Sequence, residues 1–233
     1  MKPNKFKVLI LLSSFLVAFN QNSVASEEIY FEDDMFAEGV TSRSISDCRF
    51  YGRPEANKAI FDSAVAILMN PNTWAETIGM LGQDFQLTDA EGKSLHRLAR
   101  GGDLIKITPP FDPLFRTYWV RIENTKHTPK AVSITVRPTA NPLLEKRAGI
   151  TDHFFASAAT NEFIITYSNY SLTVAVIGKN EFVNDYEVRS KIAGIANFQI
   201  AHMLWGIRSE GEAKLGLQSL LWDRFTRKMA VCD

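Results

Sequence analysis

Four histidines, His96, His127, His153 and His202, are the residues best suited to acid, base or metal chemistry. No two of them stand in HxxxH or HExxH spacing, the arrangement that puts two imidazoles on one helix face around zinc. The chain also lacks a GxSxG nucleophile elbow, a GxxxxGK phosphate loop and a GxGxxG dinucleotide fingerprint. No catalytic residue, metal ligand or cofactor is therefore expected. Asp152-His153 is the nearest thing to an acid/base pair, followed by Thr160-Asn161-Glu162. Adjacent residues of an extended segment point to opposite faces, so this pair reads as a loop-to-strand junction and not as a dyad.

The other polar residue of interest is His202, which falls in an apolar helical stripe one turn after Phe198 and Gln199 and one turn before Trp205. A polar group on a buried helix face must find a partner. Two readings follow. His202 is either a core histidine bonded within the fold, or it joins Gln199 as one of the few convergent polar groups of a mostly apolar ligand pocket. In the second reading Phe198, Gln199, His202 and Trp205 line one wall, with Trp119 and Arg121 on a predicted strand as the facing wall; Arg121 could hold a ligand carboxylate or phosphate bidentately.

Cys48 and Cys232 are the only cysteines and have no CxxC spacing. In an oxidising compartment they are expected to form a disulfide that closes nearly the whole domain. The amino terminus points to such a compartment. Lys2, Lys5 and Lys7 precede an apolar stretch over residues 8–19, broken only by Ser13 and Ser14, and Ser23-Val24-Ala25 supplies small residues at a cleavage site. Residues 1–25 read as a signal peptide, since the apolar run is short of the roughly 20 residues that span a bilayer. A periplasmic or secreted protein is expected, without a transmembrane segment in the mature chain.

The remaining composition is that of one ordinary globular domain, with 45% hydrophobic and 22% charged residues. Twenty-six basic side chains balance 26 acidic ones, and the leader takes three lysines and no acid with it. Without a basic field, nucleic acid is disfavoured as a partner. Residues 26–43 are acidic and interleaved with Ile29, Tyr30, Phe31, Met35 and Phe36, and read as an amino-terminal arm. Residues 44–233 carry no internal repeat or linker and are taken as a single α+β domain.

Within it, a short strand over residues 44–50 precedes a helix that starts at Pro54 and stops at Asn70-Pro71, with Ala56, Ala59, Ile60, Ala64, Ile67 and Leu68 on one face. Thr73 and Glu76 have capping-box spacing for a second, shorter helix with Trp74 and Ile78 on its apolar side. Strands are expected over 103–108, 117–123 and 131–136, and a hairpin over 163–177 turning at Ser168-Asn169-Tyr170-Ser171. The rest is helical, from Val188 to Trp205 and, after Gly206 and a second capping-box pair at Ser209 and Glu212, through Leu217, Leu220, Leu221, Phe225 and Met229.

This order, a strand, two helices, about six antiparallel strands and a long carboxy-terminal helical region, resembles the helix-grip fold of START-like and polyketide-cyclase-like proteins. The wording from Ile60-Phe61 through Ala66-Ile67-Leu68, Asn70-Pro71, Trp74, Ile78 and Gly102-Asp103 is similar to that superfamily's opening helices and following strand. The resemblance implies a curved antiparallel sheet wrapped around the last helix, with a cavity between them. The function expected on that basis is non-catalytic binding of a small apolar or amphipathic molecule. A cell-envelope protein-interaction module is the alternative, and a cyclase- or hydrolase-type enzyme the third.

Overall fold

The computed structural model describes residues 39–51, 53–79, 84–108, 117–144, 153, 155–181 and 210–232, with side chains of the last segment from residue 220 onward. The elements run β1 (Val40–Arg49), α1 (Pro54–Leu68), a 3-10 turn (Pro71–Thr73), α2 (Trp74–Ile78), β2 (Asp84–Thr88), β3 (Leu104–Thr108), β4 (Tyr118–His127), β5 (Ala131–Pro138), β6 (Thr160–Tyr167), β7 (Ser171–Lys179) and α3 (Glu210–Met229). It is an α+β fold whose described elements follow the expected order; the helix expected from Val188 to Trp205 lies outside the described residues.

All seven strands form one antiparallel sheet in the order β1-β7-β6-β5-β4-β3-β2. The first two strands in sequence thus lie on opposite edges, six strand spacings apart, or about 29 Å measured along the sheet. The chain between them has to cross the width of the sheet. It does so as α1, whose 15 residues extend about 22 Å, followed by the 3-10 turn and α2. The β6–β7 hairpin closes at Tyr167 and Leu172, where the Ser168 hydroxyl accepts the backbone N–H groups of Tyr170 and Ser171 at 3.2 and 3.0 Å. That bonding makes a four-residue polar turn self-sufficient.

The core lies on the helix-covered face. Alternation puts Val120 and Ile122 of β4, Val132, Ile134 and Val136 of β5, Phe163 and Ile165 of β6, and Leu172, Val174 and Val176 of β7 on this side. Phe61, Ala64 and Leu68 of α1 and Phe225 and Met229 of α3 pack down on them. The α1 stripe is rotated from the expected one. Asn57, Phe61, Ala64 and Leu68 are buried, while Ala56 and Ala59 are exposed. Phe61 sets this rotation, because its ring packs on Tyr167 with centroids 5.3 Å apart, and the methyl groups of the two alanines offer far less area to bury.

Three further local expectations change. The first strand begins at Val40, inside residues taken for the arm, because Val40 to Arg49 pair with β7. A five-residue strand, β2, pairs with β3 at the far edge. The capping box at Thr73 does not form: Thr73 has helical backbone angles (φ −102°, ψ −4°) and makes no side-chain cap bond. Its hydroxyl donates instead to the Asn70 carbonyl at 2.9 Å. The preceding 3-10 turn has already curled the chain, so the extended conformation a capping residue needs is lost.

Cys48 at the end of β1 and Cys232 beyond α3 are disulfide-bonded, with Cα atoms 5.6 Å apart. The bond fastens the last helix to the edge strand, and the Ser46 and Thr226 hydroxyls share a hydrogen bond of 2.9 Å along the same seam. Among the described residues no helix is long and apolar enough to cross a membrane.

Candidate functional site

Where α3 crosses the sheet, its inner face presents Trp222, Phe225 and Met229, spaced so that successive turns point the same way. Opposite them stand Trp74 of α2, Phe85 of β2 and Phe163 of β6, all buried. The Trp222 ring stands perpendicular to Phe163 with centroids 4.8 Å apart and perpendicular to Trp74 at 6.4 Å. It is tilted against Phe85 at 6.3 Å. Edge-to-face packing of this kind adds about 0.5 to 1.5 kcal/mol per pair beyond the area buried. Helix α2 delivers Trp74 here because it is short and stops at once: Gly79 takes the left-handed conformation (φ +58°) and returns its N–H to the Ala75 carbonyl.

The polar atoms of this interior differ in their fates. Trp74 Nε1 donates to the carbonyls of Ile67 and Leu68 at 3.0 and 3.2 Å, at the carboxy-terminal end of α1. Trp222 Nε1 is buried and has no hydrogen-bond partner, alone in this among the buried side-chain polar atoms of the described residues. A stranded donor costs about 1 to 3 kcal/mol.

The buried titratable groups among the described residues lie elsewhere. Asp103 is buried ahead of β3, where its two carboxylate oxygens accept from both Nη atoms of Arg97 at 2.7 Å and one also accepts the Arg100 N–H at 2.9 Å. The hydrogen bonds to Asp103 raise the Arg97 guanidinium above its ordinary value against a smaller opposing effect of burial; this pair ties down the loop between β2 and β3. Glu181, buried after β7, accepts from Asn161 Nδ2 at 2.8 Å and from the Thr41 hydroxyl at 2.9 Å, which anchors the chain leaving the sheet. His153 is buried against Tyr118, with ring centroids 5.5 Å apart. Its Nδ1 accepts the Phe155 N–H at 3.0 Å, so the imidazole organises its own loop. Among the described residues no three His, Cys, Asp or Glu side chains gather where a metal ion could sit.

The residues singled out from the sequence fare unevenly. Phe198, Gln199, His202 and Trp205 lie outside the described residues, as do Asp152 and Ser209. Trp119 and Arg121 do not face α3. They alternate with Val120 and Ile122, which belong to the helix-covered core, and so project from the opposite side of β4. There Trp119 is fully buried, its Nε1 donating to the Thr117 hydroxyl at 3.1 Å, and Arg121 is exposed. As the facing wall of the helix–sheet interior they are replaced by Val120 and Ile122 of the same strand. Trp222, the polar-tipped residue that does occupy the interior, is not on the stripe read through Leu217, Leu220, Leu221, Phe225 and Met229, which takes Leu221 in its place. The signal that finds it is the spacing Trp222, Phe225 and Met229, three and four residues apart.

Neither a protein-family model nor a curated protein matches the chain. Solved structures similar to it include a ginseng major latex-like protein from Panax ginseng, 11% identical, with 81% of this chain and 98% of that one covered and a TM-score of 0.36. The hypothetical protein jhp0584 from Helicobacter pylori is 9% identical, with 84% and 92% covered and a TM-score of 0.42. The two-domain ARO/CYC protein BexL of the BE-7585A biosynthetic pathway is 10% identical, with 87% of this chain and 54% of that one covered and a TM-score of 0.36.

Proposed function

We propose that this chain is a helix-grip protein of the periplasm or extracellular space that holds a small apolar or amphipathic molecule between α3 and the sheet and does not convert it. The observation that carries this reading is the aromatic lining where the last helix crosses the sheet: Trp74, Phe85, Phe163, Trp222 and Phe225 converge there from α2, β2, β6 and α3. An aromatic cluster with one unpartnered polar tip among the described residues has the side-chain makeup of a small-molecule site. The disulfide supports an oxidising compartment. The test is uptake of a solvatochromic apolar dye. Wild-type protein is expected to bind it with a micromolar Kd, about −8 kcal/mol, with tryptophan emission perturbed in parallel; failure to bind any of a broad panel of apolar dyes and lipids rejects the reading.

One observation favours the alternative of a protein-interaction module. Tyr51 and Tyr170 are 88% and 79% exposed at the same end of the sheet, where the Phe50 N–H bonds to the Tyr170 carbonyl at 2.8 Å. Exposed tyrosines suit protein interfaces. Native mass spectrometry of protein purified from its own host separates the two: a co-purifying small molecule supports the first, a co-purifying chain lost on Tyr51→Ser and Tyr170→Ser supports the second.

A further inference from the structure

Three of the chain's tryptophans are described, and they make different use of their indole N–H groups. Trp74 and Trp119 each donate to an oxygen of the fold. Trp222 does not, although it is only 8% exposed. Its ring neighbours are Trp74, Phe85, Phe163 and Phe225, and no acceptor oxygen comes from any of those side chains. A phenylalanine would avoid stranding a donor there, at the loss of some of the ring contacts the larger indole makes. A buried donor that the fold leaves unpaired calls for an explanation, and a bound acceptor is one.

We infer that the Trp222 N–H is the polar anchor of the site: it donates to an acceptor oxygen of an otherwise apolar ligand held between α3 and the sheet. This rests on the ligand-binding reading above and adds the ligand's chemistry. The described lining suits a neutral ligand. One uncharged donor satisfies a ketone, ester or ether oxygen or a hydroxyl, but a carboxylate or phosphate also needs a cation, since an unpaired charge is far costlier to bury than a carbonyl. The side chains that form this core among the described residues include no Lys, Arg or His. Arg121, which could have paired with an anion, is on the other side of β4.

The experiment uses three matched probes, fluorene, 9-fluorenone and fluorene-9-carboxylate, titrated into the full mature chain and into Trp222→Phe. The wild type is expected to bind fluorenone about tenfold more tightly than fluorene, and the carboxylate more weakly than either. Trp222→Phe should abolish the preference for fluorenone over fluorene. A second readout does not depend on the variant folding: in wild-type protein labelled with nitrogen-15, the Trp222 indole resonance should move downfield with fluorenone and not with fluorene. If the wild type binds none of the three probes, the ligand-binding reading falls and the inference with it. If fluorene and fluorenone bind equally and respond alike to Trp222→Phe, ligand binding stands and the anchor is wrong. Tighter binding of the carboxylate overturns the neutral class.

Discussion

At the scale of single residues, the tightest spatial demand is at Gly178 in β7. A Cβ placed there would overlap the carboxyl group of Glu181 and the hydroxyl of Ser42, so the strand leaves room for a buried carboxylate only because this position has no side chain. Glu181 in turn takes hydrogen bonds from Asn161 and Thr41, which couples β1, β6 and the exit of β7 in one cluster. Gly178→Ala is therefore expected to lower stability by about 1 to 3 kcal/mol, the usual range for overpacking, read from the midpoint of urea unfolding. Glu181→Ala should also destabilise, since it removes the carboxylate that the Asn161 amide and the Thr41 hydroxyl donate to. The double variant should lose less than the sum of the two, because removing the carboxylate frees the space the new methyl needs. Additive losses would mean that Gly178 and Glu181 do not compete for that space. Nothing in the sequence marks this cluster. Gly178 reads as an ordinary strand glycine, and Glu181, lying 20 residues from Asn161 and 140 from Thr41, meets them only through strand register.

At the scale of elements, the order of helices and strands was legible and several of their faces were not. The pattern of β5, β6 and β7 was plain because β-branched residues alternate in β5 and the apolar runs of β6 and β7 flank a short polar turn, and those three strands are neighbours as expected. Strand β2, with the sequence DFQLT, is too short and too polar for the same signal. Face assignment failed at β4 because both sides of that strand bury large side chains: Trp119 is fully enclosed on one side and Val120 and Ile122 are enclosed on the other. Alternation separates the two sets but does not say which one meets α3. The Thr73–Glu76 spacing misled for a different reason, since the 3-10 turn ahead of α2 is a tertiary choice that no four-residue pattern contains. It follows that Glu76, exposed on α2, has no capping role. Glu76→Gln should change stability by less than about 0.5 kcal/mol, whereas a working capping box would lose more. Chemical denaturation of the two proteins side by side decides it.

At the scale of the whole molecule, one covalent bond joins the first described strand to the end of the last helix. Cys48 and Cys232 are 184 residues apart, so the closed loop contains the rest of the sheet and every described helix. On the chain-entropy account a loop of that size restricts the unfolded chain by about 5 kcal/mol, with wide scatter in practice. Because β1 is an edge strand held by β7 alone, and α3 meets it through the Ser46–Thr226 bond, the bond also fixes the helix that roofs the candidate site. Two effects should therefore separate on reduction. Global stability should fall by an amount within the chain-entropy range, while the domain stays folded, because a core of this size does not depend on a staple as a miniprotein does. Local order at the β1–α3 seam should fall further: hydrogen exchange of the amides of β1 and of residues 220–229 should quicken, while β5 and β6, in the middle of the sheet, keep their protection. The Cys48→Ala, Cys232→Ala variant should behave as the reduced protein does. Uniform loss of protection across the sheet would mean that the bond holds the whole fold together and does not merely fasten its last helix.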